Sequence, residues 1–136
     1  MPKRVVVADD HALFREILCH WLSSVDDLFE IVGEAKNGLE TIDLVNEKHP
    51  DLLLLDVSMP ELDGISALRR LRTQRQNQTL KILILSIHDS DHYLQKALEA
   101  GADGYCTKDC GYQQLLEAIE QVLDGKKYIG SNSETI

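Results

Sequence analysis

The chain has 136 residues, of which 43% are hydrophobic and 27% are charged, and its formal net charge is -9. This size and balance are typical of one globular domain with a single hydrophobic core, and they exclude a chain that is disordered throughout. The excess of negative charge excludes a broad basic face, which supplies most of the affinity of proteins for nucleic acid, so we do not expect this chain alone to bind DNA.

Five short apolar segments alternate with amphipathic segments along the chain, and this alternation is typical of repeated βα units. Two of them, residues 5–7 and 52–55, are apolar throughout, which indicates strands buried on both faces of a parallel sheet. The sequence therefore predicts an α/β fold, a doubly wound sheet with helices on both sides. The predicted strands are residues 4–8, 29–35, 51–56, 80–86 and 104–107.

The segment that follows each strand carries apolar residues at helical spacing, so we expect a helix that covers the sheet. The residues predicted to form the apolar faces of the five helices are Leu13, Phe14, Ile17, Leu18, Trp21 and Leu22 in the first, Leu39, Ile42 and Val45 in the second, Ile65, Leu68 and Leu71 in the third, Leu94, Ala97 and Leu98 in the fourth, and Leu115, Ile119, Val122 and Leu123 in the fifth.

Gly125 is the expected stop of the fifth helix. Residues 126–136 include few apolar side chains, so we expect a polar tail or the start of a linker behind one domain of residues 1–125. The apolar run 52–55 is far shorter than the roughly 20 residues of a membrane span, and no apolar secretory segment follows Lys3 and Arg4. We therefore expect a cytoplasmic protein with no membrane contact.

Polar side chains stand where the predicted strands end. Asp9 and Asp10 follow the first strand, Asp56 ends the third, Ser86 ends the fourth and Lys108 follows the fifth. Ligands of open doubly wound sheets bind outside the carboxyl ends of the strands, so the topology brings these side chains into one crevice. Three carboxylates there repel one another, and Mg²⁺, which prefers oxygen ligands, relieves that repulsion. A carboxylate in such a site can attack a phosphoryl group, and the lysine and the hydroxyl can bind its oxygens.

Four segments, VVVADDH, LLLLDVSMPELDG, ILILSIHD and AGADGYCTKD, stand in this order at the predicted strand ends. With them the chain strongly resembles the receiver domains of two-component response regulators, over residues 3–128. The resemblance implies a flavodoxin-like (βα)5 fold with a central parallel five-stranded sheet in the order 2-1-3-4-5. It also implies a phosphoacceptor that receives its phosphoryl group from a sensor histidine kinase, and not an enzyme that turns over a substrate.

The resemblance assigns a role to each site residue. It implies that Asp56 is the phosphoacceptor, that Asp10 binds Mg²⁺ directly, that Asp9 binds it through water, and that the backbone carbonyl of Ser58 is a further ligand.

The resemblance also implies a switch. Ser86 and Lys108 match the hydroxyl and lysine positions that hold the phosphoryl group, and Tyr105 matches the aromatic switch. On phosphorylation Ser86 is expected to move toward the phosphate, and the ring of Tyr105 to turn inward into the space it leaves. One local charge event would then change the face formed by the fourth helix and the fifth strand.

The details DDH, SIHD, TKD and GKKYI are most similar to receivers that precede a LuxR-type helix-turn-helix domain, the NarL/FixJ class. The resemblance therefore implies a transcriptional output domain outside this chain, DNA binding only through that domain, and homodimerisation on phosphorylation as a property of the class. The alternatives are a stand-alone receiver and a pseudo-receiver that acts without phosphorylation. Two positions depart from many receivers: Asp109 stands in place of proline, and Ile87 in place of a small residue, which bears on phosphoryl access and lifetime.

Other functions fit the residues less well. A haloacid-dehalogenase-like phosphatase carries a second acid two residues after its nucleophile, where this chain has Ser58. A flavodoxin-like cofactor binder needs hydroxyls or glycines after the first strand, where Asp9 and Asp10 would repel phosphate. Taken alone, these two acids could also cap the first helix.

The chain has three cysteines, an odd number that argues against a disulfide framework in a domain of this size, so we expect reduced thiols. Cys106 and Cys110 could join His88 and His92 in a metal site. Their spacing matches no established zinc pattern, however, and small apolar side chains are the more common role of cysteine, here including Cys19.

Overall fold

The computed structural model describes residues 2–87 and 91–130. In this part of the chain a parallel sheet of six strands, in the order β2-β1-β3-β4-β5-β6, lies between two layers of helices. The elements are β1 Lys3–Ala8, α1 Ala12–Ser24, β2 Phe29–Ala35, α2 Gly38–Lys48, β3 Leu52–Leu55, α3 Gly64–Arg72, a 3-10 turn Arg75–Asn77, β4 Lys81–Ser86, α4 Asp91–Ala100, β5 Gly104–Thr107, α5 Tyr112–Leu123 and β6 Tyr128–Gly130.

The central five strands confirm the predicted fold. All neighbouring strands are parallel, and their order is 2-1-3-4-5. Each strand has apolar side chains on both faces, because successive side chains point to opposite sides of the sheet. In β1, Val6 packs in the core under α2, α3 and α4, and Val5 and Val7 pack in the core under α1 and α5.

The sixth strand was not predicted, since residues 128–130 were assigned to the polar tail. Tyr128 pairs with Gly104 of β5, and its ring packs partly against the core under α1 and α5. Lys127 supports this position, because its Nζ donates to the carbonyl of Ala102 at 3.0 Å. Three residues are too few to show a periodic pattern, so the strand depends on tertiary contacts. The rest of the predicted tail, residues 131–136, lies outside the described residues.

The predicted apolar faces of two helices are confirmed only in part. In α1 the buried residues are Leu18 and Leu22, and the side chains of Leu13 and Ile17 are 68% and 47% exposed. The predicted face was too wide, because the apolar residues of α1 cover more of the helix surface than the sheet can bury.

In α2, Leu39 is 46% exposed, whereas Gly38, Thr41 and Val45 are buried. The cause is a close approach at Gly38, where a β-carbon would lie 2.1 Å from the carbonyl oxygen of Leu62. Packing the glycine inward turns Leu39 outward. None of the helices in the described part of the chain has the length and apolar character that a bilayer crossing requires.

Candidate functional site

The register of the sheet brings four strand ends to one rim. The backbone N–H of Asp56 donates to the carbonyl of Ala8 at 3.0 Å, and that of Lys108 donates to the carbonyl of Ser86 at 2.8 Å. The residues that follow β1, β3 and β5 are therefore held beside one another by ladder hydrogen bonds. The sequence prediction of a single crevice is confirmed for the acidic residues and Lys108.

The three carboxylates form one cluster. Asp9, Asp10 and Asp56 each have a carboxylate oxygen within 4.8 Å of those of the other two. Asp9 and Asp56 are only 2% and 4% exposed, whereas Asp10 is exposed and lies beside a groove of about 620 Å³ that Ser58 also lines. The cluster is thus buried on the sheet side and open to solvent at Asp10.

Lys108 is the cation of this cluster. Its Nζ lies 2.8 Å from Oδ2 of Asp9 and 3.5 Å from Oδ2 of Asp56, and its side chain is 11% exposed. The same Nζ lies 4.6 Å from the centroid of the Phe14 ring, within the range of a cation–π contact. The positive charge of Lys108 therefore offsets the charges of two buried carboxylates, and the same ammonium group contacts the face of the Phe14 ring.

Asp56 is an unusually weak acid for an aspartate. Burial, followed by the negative charge of Asp9, raises the pKa of Asp56 from 3.8 to about 6, although Lys108 and the backbone N–H of Ser58 act in the opposite direction. That N–H donates to Oδ1 of Asp56 at 3.2 Å. The charged form of Asp56 lacks sufficient positive charge around it, so a further cation at the rim would stabilise it.

Asp9 is fixed from two sides. Its Oδ1 accepts a hydrogen bond from the backbone N–H of His11 at 2.9 Å, and its backbone carbonyl accepts one from Arg15 at 2.6 Å. Arg15 also pairs with Glu34 at 3.1 Å. Sequence reasoning missed Arg15 and the contact of Phe14 with Lys108, because helical spacing does not reveal which neighbour a side chain will meet.

The turn after Asp56 is built so that α3 begins close to the rim. Asp63 caps this helix by accepting a hydrogen bond from the backbone N–H of Ser66 at 2.8 Å. A β-carbon at Gly64 would lie 2.0 Å from the carbonyl oxygen of Asp56, so a side chain does not fit there. Asp63 and Gly64 thus shape the turn.

The predicted switch residues are both interior. Ser86 is the last residue of β4 and pairs across the sheet with Thr107, and its side chain is buried. Tyr105 is buried in the core under α2, α3 and α4. In this structure the ring of Tyr105 is fully buried.

The donor set suits a hard divalent cation. Among residues 2–87 and 91–130, the carboxylates of Asp9, Asp10 and Asp56 are the only group of three or more side chains that could hold a metal ion. These donors are all oxygen atoms, as Mg²⁺ prefers. Within the same residues Cys106, Cys110 and His92 form no such group, and His88, the remaining member of the metal site considered from the sequence, lies outside the described residues.

Comparisons with known proteins give the same family throughout. A family model of the response regulator receiver domain matches residues 5–120. The transcriptional regulatory protein DegU of Brevibacillus brevis is 38% identical over 126 residues, which are 93% of this chain and 52% of DegU. The nitrate/nitrite response regulator protein NarL of Escherichia coli is 35% identical over 125 residues, which are 92% of this chain and 56% of NarL. The chain spans about half the length of these relatives.

A solved structure is similar over nearly the whole chain. The crystal structure of a LuxR-family two-component response regulator from an Aurantimonas species superposes with a TM-score of 0.87 at 32% identity. The match covers 94% of this chain and 89% of that one.

Proposed function

This chain belongs to the response regulator receiver domain family, and from that premise we propose that Asp56 accepts a phosphoryl group in a Mg²⁺-dependent reaction. The chain is the receiver of a two-component response regulator with LuxR-family relatives. The single observation that carries the proposal is the position of Lys108, within 3.5 Å of both Asp9 and Asp56 in a three-carboxylate cluster.

The reaction is a displacement at phosphorus. An oxygen of the Asp56 carboxylate attacks the phosphorus of a donor, the bond between phosphorus and the donor's nitrogen or oxygen breaks, and the donor leaves with that electron pair. The ammonium group of Lys108, with its N–H bonds, stabilises the negative charge on the phosphoryl oxygens. The hydroxyl of Ser86 binds a further phosphoryl oxygen after a local movement of β4.

The carboxylates of Asp9, Asp10 and Asp56, together with the backbone carbonyl of Ser58, would hold Mg²⁺. When bound, Mg²⁺ supplies positive charge that offsets the carboxylates and the incoming phosphoryl oxygens. The pKa of Asp56, raised first by burial and then by the charge of Asp9, supports this assignment, because a bound cation would stabilise the charged carboxylate.

Ser86 and Tyr105 are the residues that would transmit the phosphorylation state of Asp56 to the surface of the domain. We propose that phosphorylation draws Ser86 toward Asp56 and fixes the Tyr105 ring in the space that Ser86 leaves, which changes the exposed face of α4 and β5. The ring is buried in the core under α2, α3 and α4, which is the position that this proposal assigns to the phosphorylated state.

The partners of this chain also belong to the proposal. We propose that the phosphoryl donor is a sensor histidine kinase, that phosphorylation promotes a homodimer, and that transcriptional control passes through a LuxR-type helix-turn-helix domain outside this chain. DegU and NarL, which are named as regulators, support this reading. We further propose that the chain is a phosphoacceptor and not a phosphatase, because Ser58 stands where a phosphatase of the haloacid-dehalogenase type carries its second acid.

The test is the mass of the intact chain after incubation with acetyl phosphate and Mg²⁺. We expect one added phosphoryl group on the wild type, none on Asp56→Asn, and one on Asp43→Asn, a charge-matched control at an exposed position of α2. An unmodified wild type, or an adduct that persists on Asp56→Asn, overturns the proposal.

A further inference from the structure

An aromatic ring of α1 lies against the cation of the functional site. Phe14 is the third residue of α1, and its side chain packs partly against the core under α1 and α5. The Nζ of Lys108, which follows β5, lies 4.6 Å from the centroid of the Phe14 ring. A cation at this distance from an aromatic face is attracted by the quadrupole of the ring. The contact therefore links the first helix to the lysine of the site.

The ring is the uncharged partner of this ammonium group. Within residues 2–87 and 91–130, the Nζ of Lys108 also contacts Oδ2 of Asp9 at 2.8 Å and Oδ2 of Asp56 at 3.5 Å. The side chain of Lys108 is only 11% exposed, so water competes little for the ammonium group. A cation–π contact is stronger when it is desolvated. The contact between Lys108 and the Phe14 ring therefore belongs to the stronger kind.

The carboxylates and the ring differ in what else they can bind. Asp9 and Asp56 belong to the cluster that would hold Mg²⁺. A divalent cation there takes up part of their negative charge and repels the ammonium group of Lys108. The Phe14 ring carries no net charge and is not part of this cluster. Its attraction for Lys108 therefore does not depend on charge that the metal shares.

Contacts other than those of Phe14 hold the start of α1. The next residue, Arg15, donates to the backbone carbonyl of Asp9 at 2.6 Å and pairs with Glu34 at 3.1 Å. The Phe14 ring also lines a cavity of about 250 Å³ between α1 and α5, together with Leu18, so it is not closely packed on that side. An apolar side chain of similar size could fill this space, whereas the contact with Lys108 requires an aromatic face.

We propose that Phe14 is a positioning residue, whose ring holds the ammonium group of Lys108 beside Asp56 while the phosphoryl group is transferred. Without the ring, the shorter ion pair would draw the lysine toward Asp9 and away from the phosphoryl oxygens on Asp56. Displacing a group at a reacting centre by about 1 Å can slow a reaction by roughly 100-fold. The role of Phe14 rests on the proposed function, whereas its contact with Lys108 does not.

The first test compares Phe14→Leu, which keeps an apolar side chain, with Phe14→Tyr, which keeps the aromatic face. Urea unfolding establishes that both variants are folded under the assay conditions. The rate of phosphoryl addition from acetyl phosphate with Mg²⁺ should fall about 10-fold in Phe14→Leu, as expected for the loss of one desolvated cation–π contact, and stay close to that of the wild type in Phe14→Tyr. A wild-type rate in Phe14→Leu, or an equal loss in both variants, overturns the proposal.

The second test changes the electrons of the ring and leaves its shape nearly unchanged. Phenylalanine with one, two or three fluorine atoms is placed at position 14 of the whole chain, because fluorine withdraws electrons from the ring face and weakens its attraction for a cation. The other phenylalanine, Phe29, is buried in β2 and serves as the matched control. We expect the logarithm of the rate to fall with each fluorine at Phe14 and to stay constant at Phe29. Constant rates at Phe14, or an equal fall at Phe29, overturn the positioning role.

The third test detects the contact itself by nuclear magnetic resonance of isotope-labelled lysine. Protons above an aromatic face resonate upfield because of the ring current, so the ε-methylene protons of Lys108 should lie upfield of those of Lys126, whose side chain is 67% exposed. Lys108→Met identifies the resonance in the metal-free chain.

The upfield shift should disappear in Phe14→Leu and persist in the wild type when Mg²⁺ is added. An unshifted Lys108 in the wild type, or a shift that Mg²⁺ removes, overturns the proposal. If the wild type accepts no phosphoryl group, the proposed function fails, and the upfield shift still decides whether the Phe14 ring holds the ammonium group.

Discussion

Lys108 forms its shorter ion pair with Asp9, at 2.8 Å, and its longer one with the proposed phosphoacceptor Asp56, at 3.5 Å. The lysine is therefore anchored mainly by a residue that does not itself react. Because both carboxylates are almost fully buried, removing the lysine leaves two uncompensated charges at the rim.

Lys108→Met should destabilise the metal-free protein by about 3 kcal/mol, since breaking a buried ion pair from one side leaves the partner unpaired. It should also abolish phosphoryl addition. Urea unfolding in a chelator measures the first effect, and Mg²⁺ should restore part of the loss. Lys126→Met is the matched control, because its side chain is 67% exposed; a loss of the same size there would contradict the role of the buried pair.

The stability of the metal-free protein should fall as pH rises from about 4 through about 6. The pKa of Asp56 is raised from 3.8 to about 6 by burial and by Asp9, so in this window the folded protein keeps a proton that the unfolded chain has lost. The stabilising contribution of the protonated Asp56 carboxyl is therefore fully present below about pH 4 and lost above about pH 6. It amounts to about 1–3 kcal/mol, at ~1.4 kcal/mol per pKa unit, reduced for screening by water at the rim.

The pH dependence is measured as the difference in the free energy of unfolding between the wild type and Asp56→Asn, from pH 4 to pH 7 with chelator. Asp56→Asn should become the more stable protein above about pH 6. A difference that stays constant over this range would argue against a raised pKa.

Mg²⁺ should raise the Tm of the wild type, because a ligand that binds only the folded state stabilises it. Asp10→Ala should remove this increase and leave the metal-free Tm nearly unchanged, since Asp10 is exposed. Differential scanning calorimetry with and without Mg²⁺ tests both statements. Asp51→Ala, an exposed acid that accepts a hydrogen bond from the backbone of Arg4, should keep the full response to Mg²⁺.

Gly64→Ala should destabilise the protein by about 3 kcal/mol or more, as expected for a steric clash in a packed interior. The added β-carbon would lie 2.0 Å from the carbonyl oxygen of Asp56, which is backbone and cannot rotate away. Gly33→Ala is the control, because its nearest contact is 3.2 Å from a flexible Leu44 methyl. Equal unfolding midpoints for the two variants would be inconsistent with this packing.

The sequence predicted the strands and the acidic rim well because both depend on local, strongly patterned features. A strand buried on both faces has a continuous apolar run, and Asp56 stands where such a run ends, so its position relative to Asp9 follows from parallel pairing. The exposure of Leu13 and Ile17 in α1 and of Leu39 in α2 could not be predicted in the same way. It depends on how each helix packs on the sheet, and in α2 on the close approach at Gly38, a contact between segments far apart in sequence.

The contacts that hold the site residues in place could not be predicted from the sequence either. Phe14 behind Lys108 and Arg15 on the carbonyl of Asp9 depend on the angle at which α1 leaves the sheet. In each case the residue type can be read from the sequence, whereas the residue that it contacts cannot.

The short strand β6 also affects how copies of this protein can associate through the edge of the sheet. An unpaired strand at the margin of a sheet is a template on which a second chain can add. At one edge of the sheet lies β6, a strand of three residues that pairs with β5. At the other edge lies β2, which carries the exposed charges of Glu30 and Glu34. Among residues 2–87 and 91–130, neither margin offers a long uncharged strand, and we expect this to protect the protein against aggregation by sheet extension.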